Sequence, residues 1–306
     1  MTATAPVRIR PAAIRLAAAV LSIALLAPAG AAARAADFTA MSGNPCAGVS
    51  SAGPGAAFMR MILQPGADFH LPRQSARQRA QAARAANRER ARDWADLCRY
   101  RAANKALKHY PRVVFMGDSI TDCWQYGDPS LFRHGVVDRG ISGQTSAQML
   151  VRFWPDVIAL HPKVVQILAG TNDIAGNTGP TSARHYEQDI EAMVTLAKAH
   201  HIHVILGSMP PAVRFWWAPQ FRPAAQIRRL NAWLRSYARE QHLRFVHYYA
   251  HLVSPSGTFR HSLSNDGVHP NRNGYKLMSA LARKAIDTPW PRSPVQNARG
   301  WRASSR

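Results

Sequence analysis

Between Arg112 and Ile286 the chain alternates short apolar runs with longer amphipathic stretches. Val113-Val114-Phe115-Met116, Val136-Val137, Val164-Val165-Gln166-Ile167-Leu168, His203-Val204-Ile205-Leu206 and Phe245-Val246-His247-Tyr248 predict five strands. Runs of this length, rich in Val and Ile, suit strands covered on both faces. Tyr186, Ile190, Met193, Val194 and Ala197 recur at helical spacing between the third and fourth runs, and Ile227, Leu230, Leu234 and Tyr237 do so before the fifth. Leu277, Met278, Leu281 and Ala285 mark a last helix over about 273–286. Buried strands joined by helical crossovers predict a parallel sheet in an α/β domain of three layers, α/β/α.

The flanks read differently. Residues 1–36 carry Arg8, Arg10, Arg15 and Arg34 but no acid, with an apolar centre from Leu16 to Pro28 and small residues such as Ala33-Arg34-Ala35 behind it. A charged start, a short apolar centre and a small-residue exit make a signal peptide, and the protein is expected to be exported, periplasmic or secreted. The alternative is an uncleaved anchor, but the run is shorter than the roughly 20 residues a membrane span needs. Residues 37–111 form an N-terminal extension. Its first part, to about Pro72, has weak periodicity and reads as an irregular connector. Its second, Arg73–Lys108, lacks Gly and Pro and is dominated by helix formers, so it predicts a basic helix. Trp94, Leu97 and Tyr100 are the side chains that would pack it onto the main domain. Residues 287–306 hold four Arg and three Pro and read as a loose basic tail.

Composition narrows the class. At 306 residues and 47% hydrophobic, the chain can bury a sizeable core, which excludes a wholly disordered basic protein. The formal charge is +22, from 39 Lys+Arg against 17 Asp+Glu. Charge on this scale draws a protein weakly toward anionic surfaces. No aromatic interleaving or nucleic-acid motif accompanies it, so no specific nucleic-acid partner is expected. Three cysteines are too few for a disulfide scaffold. Cys46 and Cys98 could bridge in an oxidising space, although three thiols allow three pairings. Cys123 reads as a small buried side chain.

The chemistry clusters where a parallel sheet would gather it, beyond the carboxyl ends of the strands. Gly117-Asp118-Ser119-Ile120 follows the first strand, Arg139-Gly140-Ile141-Ser142-Gly143-Gln144-Thr145 the second, and Gly170-Thr171-Asn172-Asp173 the third. Asp266-Gly267-Val268-His269-Pro270 lies between the fifth strand and the last helix. A serine hydroxyl attacks a carbonyl only when a base takes its proton and a third group orients that base. Ser119, His269 and Asp266 fit those three roles, with Asp266 and His269 close enough in sequence to share one turn. The developing oxyanion needs donors, which the Ser119 N–H, the Gly143 backbone and the Asn172 amide can supply. Asp118 and Asp173 are expected to brace their own turns by accepting backbone N–H bonds. The reaction so assembled is attack on an ester, an acyl-enzyme and hydrolysis by water.

The blocks VVFMGDSITD, RGISGQTS, GTNDIAGNTGP and DGVHPNRNGY together resemble the SGNH hydrolase superfamily, the GDSL-type lipases and acylhydrolases. The likeness covers about 112–286. It implies a flavodoxin-like fold with a five-stranded parallel sheet and no metal or organic cofactor. Block by block it makes Ser119 the nucleophile, Gly143 and Asn172 oxyanion donors beside Ser119, and Asp266 and His269 the rest of a triad. Asp138 departs from the pattern, since many members carry Asn there. No G-x-S-x-G surrounds Ser119, which separates the chain from the α/β-hydrolases.

Within the superfamily the chain is most similar to the small-acyl branch, which resembles platelet-activating-factor acetylhydrolases and lysophospholipase-like esterases. The expected substrate is a small-molecule, carbohydrate or lipid ester. Rival readings are an O-acyltransferase with the same triad, a lysophospholipase or thioesterase, and a non-enzymatic envelope-binding protein. Trp216 and Trp217 follow the fourth strand and could stack on a sugar ring, line an acyl pocket, or merely pack their loop. Arg214 and Arg222 on that loop could attract an anionic group or face solvent. His200, His201 and His203 crowd together without a carboxylate or cysteine at ligand spacing and read as structural.

Overall fold

The computed structural model describes residues 44–49, 53–71, 73 and 75–290. The expected signal peptide and residues 291–306 of the expected tail lie outside the described residues. In chain order the elements are α1 (Ala56–Leu63), α2 (Ala76–Arg92), α3 (Arg101–Lys105), β1 (Val113–Gly117), α4 (Ser119–Asp122), α5 (Trp124–Gly127), β2 (Val136–Gly140) and α6 (Ser146–Asp156). A 3-10 turn (Ile158–Leu160) leads to β3 (Val164–Leu168), α7 (Thr171–Ile174), α8 (Ala183–Ala199), β4 (His203–Gly207), α9 (Ala224–Glu240), β5 (Arg244–Val246), α10 (Tyr248–Leu252) and α11 (Arg272–Asp287).

All five strands are parallel, in the order β2-β1-β3-β4-β5. Successive side chains on a strand point to opposite faces, and β1 divides its residues accordingly. Val114 and Met116 enter a core with Met149 and Phe153 of α6, Ile190 and Met193 of α8, and Ile227 and Leu230 of α9. Val113 and Phe115 enter a second core with Trp124, Tyr248, Tyr275 and Met278. Two cores on two faces of one sheet make the three layers read from the sequence, and the fold is the three-layer α/β/α fold of that superfamily.

Local differences from the sequence reading have physical causes. β2 runs past Val137 to Gly140 because its polar end is satisfied: Arg139 Nε donates to Asn104 Oδ1 at 2.7 Å, and the guanidinium lies over the Tyr100 ring. β5 stops at Val246. The next residues turn into α10, capped by His247, and the Tyr248 hydroxyl donates to Gln166 Oε1 at 2.7 Å inside the core.

The extension differs most. Residues read as a connector contain α1, which buries Met59, Ile62 and Leu63. The basic helix does not continue to Lys108. Asp93 ends α2, its carboxylate accepting the N–H groups of Leu97 and Cys98 at 2.8 Å each, and the chain turns before α3. Tyr100 packs as expected, its hydroxyl donating to Gly140 O, whereas Trp94 and Leu97 are exposed and Ala95 is buried in their place. Cys46 and Cys98 form a disulfide, and Cys123 is free and buried. The described residues from Cys46 onward belong to one compact unit. Of the expected tail, Trp290 stacks on His203 at 4.4 Å, and the Arg244 guanidinium lies over its ring at 3.7 Å.

Candidate active site

The strand ends bring the four sequence clusters to one edge of the sheet. β1 ends at Gly117, and Asp118 caps the short α4 by accepting the Ile120 N–H at 2.9 Å, which sets Ser119 as the first helical residue. Ser119 Oγ lies 2.9 Å from His269 Nε2. His269 Nδ1 lies 2.6 Å from Asp266 Oδ2. Asp266 reaches back along its own turn, which passes through Gly267 at φ 77°, and its Oδ1 accepts the N–H groups of Val268 and His269 at 2.9 and 2.8 Å. Trp216 Nε1 donates to Asp266 Oδ2 from outside at 3.3 Å. The Ser264 hydroxyl adds a bond to Oδ1 at 3.3 Å, so five donors hold the carboxylate, and its orientation fixes the imidazole.

Burial would push the Asp266 carboxyl up, but the charge and hydrogen bond of His269 and the two backbone N–H groups outweigh it and hold it below the usual range. For His269 burial acts to lower the imidazole, and the Asp266 charge and hydrogen bond, with a smaller contribution from Asp118, raise it above the ordinary value. Asp118 itself is pushed up to about 7, mainly by burial, against the Ile120 N–H and the nearby imidazole.

Gly143 occupies a left-handed conformation, φ 83°, that a side chain would strain. The loop around it is fixed on both sides. Asp122 Oδ2 accepts the N–H and the hydroxyl of Ser142 at 3.1 and 2.8 Å, with Arg99 near its other oxygen. Asn177 Nδ2 donates to Gly143 O and to Asn172 Oδ1, at 3.0 and 2.8 Å. That second bond orients the Asn172 amide, whose Nδ2 donates to Gln144 O at 3.0 Å and to Asp118 Oδ2, on the residue before Ser119, at 3.4 Å.

Ser119, Gly143, Asn172, His269, Trp216 and Trp217 all line one cavity of about 320 Å³. The Trp pair therefore belongs to the site; Trp217 Nε1 also donates to Asn177 Oδ1 at 3.1 Å. Arg214 is exposed and Arg222 folds back onto the Pro219 and Phe221 carbonyls, so neither lines the cavity. Asp118 braces its own turn, as expected. Asp173 instead reaches across to the start of α6, accepting the N–H and hydroxyl of Ser146. Asp138 is buried and accepts the Gly140 N–H at 2.7 Å, outside the cavity. Among the described residues no three His, Cys, Asp or Glu side chains are grouped to hold a metal ion. His200 packs edge-on against Trp154, and His203 stacks on Trp290.

Three participants escaped the sequence reading. Asn177 stands inside the third block, four residues beyond Asp173, and its amide offered no signal beyond its place there. Ser142 was part of the second block without an assigned role. Phe58 of α1, with Pro54 and Gly55 before it, also lines the cavity, and its ring meets His269 edge-on at 5.4 Å and 90°.

Residues 115–277 match the model of the GDSL-like lipase/acylhydrolase family. A crystal structure from Bacteroides fragilis assigned as an acylhydrolase is 45% identical, with a TM-score of 0.62, over 64% of this chain and 97% of that one. A GDSL-like lipase structure from Bacteroides thetaiotaomicron is 42% identical, also with a TM-score of 0.62, over 64% of this chain and 98% of that one. No curated protein matches the chain significantly. The fold, the four blocks and these similarities define an α/β/α hydrolase class. The chain belongs to the GDSL-like lipase/acylhydrolase family and is a carboxylic ester hydrolase.

Proposed function

We propose that the chain cleaves small-acyl esters through a Ser119–His269–Asp266 triad and an acyl-enzyme. The observation that carries this reading is the continuous path from Ser119 Oγ to His269 Nε2, 2.9 Å, and from His269 Nδ1 to Asp266, 2.6 Å, at the wall of the cavity. Neutral His269 takes the Ser119 proton as Oγ attacks the carbonyl carbon. The oxyanion is met by the N–H groups of Ser119 and Gly143 and by Asn172 Nδ2. The imidazolium, held by Asp266, then protonates the departing alcohol oxygen. Water, deprotonated by the same ring, attacks the acyl carbon, and collapse returns Ser119 and a free acid. The cavity volume stands at the low end of the roughly 300–1,000 Å³ usual for ligand pockets, which favours small acyl groups over long chains.

An O-acyltransferase would use the same groups and replace water by a sugar hydroxyl; a lysophospholipase or thioesterase would need room for a larger half. Hydrolysis of 4-nitrophenyl esters from acetate to palmitate, with wild type beside Ser119→Ala, tests the reading. Turnover that falls steeply with chain length and is lost in Ser119→Ala supports it. Turnover unchanged in Ser119→Ala, or rising toward palmitate, overturns it.

We further infer export, in a periplasm or outside the cell. The leader-like pattern of residues 1–36 supports this, as does the Cys46–Cys98 disulfide, since such bonds persist in oxidising compartments. A weak attraction to anionic surfaces is supported by α2, a helix with Arg77, Arg84, Arg88, Arg90 and Arg92 exposed to solvent.

A further inference from the structure

An ester has two halves, and the geometry of proton transfer fixes on which side of Ser119 each half lies. The imidazolium must hand its proton to the leaving oxygen, so the alcohol half has to sit beside His269. The oxyanion faces the other way, toward Gly143 and Asn172.

The surroundings of His269 are aromatic. Phe58 stands edge-on to it at 5.4 Å, and Trp217 lies 6.3 Å away. Trp216 is 6.1 Å from Phe58 and 5.1 Å from Trp217, which closes the wall. Both indole N–H groups are already used, Trp216 on Asp266 and Trp217 on Asn177. What the two indoles offer a ligand is therefore carbon surface. Among the described residues, none of those lining the cavity is a Lys, Arg, Asp or Glu, in a chain that carries 39 Lys+Arg.

Phe58 is held in place by more than its own packing. Met59, Ile62 and Leu63 anchor α1 in the core. The side-chain amide of Asn265, the residue just before Asp266, donates to the carbonyls of Met61, Ile62 and Gln64 at 2.8, 3.3 and 2.6 Å. One side chain thus fastens the end of α1 to the loop that carries Asp266 and His269. Phe69 backs the wall, 6.4 Å from Phe58 and 5.7 Å from Trp216. Residues 54–69 lie outside the 115–277 stretch that matches the family model, so Phe58 and Phe69 reach the wall from outside that stretch, whereas Trp216 and Trp217 belong to it.

We propose that Phe58, Trp216 and Trp217 form a subsite for the alcohol half of the ester, selecting an uncharged ring alcohol with an apolar face to lay against them. The inference rests on the triad reading of the preceding subsection. An aryl-bearing alcohol and a pyranose share the required chemistry, a neutral ring with an exposed C–H or π face. A rigid wall already in position takes such a ring without paying to order itself. In this account Phe58 determines specificity and takes no part in proton transfer.

The test keeps the acyl group constant and varies the alcohol: ethyl acetate, benzyl acetate, a methyl pyranoside monoacetate and acetylcholine, with wild type, Phe58→Ala and Phe58→Leu. Wild type should favour benzyl or pyranoside acetate over ethyl acetate, and which of the two leads identifies the kind of ring. Phe58→Ala should lower kcat/KM on the favoured ring ester about tenfold, mostly through KM, and on ethyl acetate by roughly twofold or less. Phe58→Leu, which keeps the apolar volume but not the flat face, should fall between them with an unchanged melting temperature. Breakdown of the acetyl-enzyme, from which the alcohol has already left, should proceed at the wild-type rate in both variants. Equal losses on ethyl and ring esters, slowed deacylation, or a preference for acetylcholine would overturn the subsite. So would a wild type indifferent to the alcohol while Ser119-dependent cleavage persists, which leaves the triad standing. Folded wild type that cleaves none of the four esters overturns the triad reading and the subsite together.

Discussion

At the scale of single residues, the Asp266–His269 pair sets how the protein should respond to pH. Burial lowers the imidazole and the Asp266 carboxylate more than restores it, so His269 binds its proton above the ordinary value of 6.5. The base is active only when neutral. The account therefore predicts that kcat/KM climbs with pH along a limb centred above 6.5 and falls away as the medium becomes more acid. Asp266→Asn should cost on the order of 10⁴-fold in kcat, because the ring loses its orienting acceptor. A pH-independent rate from pH 5 to 9 would contradict the assignment. Asp138, the departure from the family pattern, yields a second prediction. Burial drives its carboxyl well above the usual value, so the folded protein keeps that proton to higher pH than the unfolded chain, which releases it above about pH 4. That penalty grows as pH rises from the unfolded value toward the folded one. Asp138→Asn, neutral at every pH, should gain in melting temperature relative to wild type as pH goes from 4 to 8, with esterase activity retained. A gain that shrinks with pH would contradict this. Residues of this kind were legible because each cluster is local: His269 is the third residue after Asp266, and Ser119 the second after the end of its strand. Phe58 and Asn177 were not, because a ring reaching His269 across the fold and an amide tying two loops together leave no local spacing to read.

At the scale of elements, long periodic segments were readable and short ones were not. The apolar stripe of α8 is the one the sequence predicts, because the sheet buries every member of it. α1 is eight residues long and sits in Gly-, Ala- and Pro-rich surroundings; Met59, Ile62 and Leu63 carry the right spacing, but only the core that receives them makes it count. α2 ended early because Asp93 captures two backbone N–H groups, a side-chain competition that helix propensity does not register. What remains of α2 is a capped helix with a charged, solvent-facing surface; Ser75 and Gln78 close its start reciprocally. The prediction at this scale concerns that surface. Replacing Arg77, Arg84, Arg88, Arg90 and Arg92 by Gln should weaken binding to phosphatidylglycerol vesicles at low salt by about 100-fold or more, with ester hydrolysis unchanged. Added salt should release the wild type. Vesicle co-sedimentation reads both, and equal retention of the variant would rule the surface out.

At the scale of the whole molecule, the extension and the shared domain work as one unit. The Cys46–Cys98 bond spans a sequence separation of 52. Closing a loop of that length stabilises the fold by about 4 kcal/mol in the chain-entropy description. It ties the chain ahead of α1 to the turn after α2. From there Tyr100 and Asn104 cover β2, the edge strand. Arg152, fully buried, carries the linkage inward: it donates to Gln144 Oε1 and Gly117 O and pairs with Asp156, while Gln144 Nε2 donates to Ala95 O at 2.9 Å. The strand end before Ser119 and the loop around Gly143 are thus braced from the extension as well as from the sheet. All of this serves one hydroxyl, and the most direct measurement is where that hydroxyl's chemistry appears. Treatment with a fluorophosphonate ester, which bonds phosphorus to an activated serine oxygen and releases fluoride, followed by peptide mass analysis, should give a single adduct on Ser119 in step with loss of ester hydrolysis. His269→Ala should take up the label far more slowly. An adduct on another residue, or full hydrolysis by protein fully labelled at Ser119, would contradict the account.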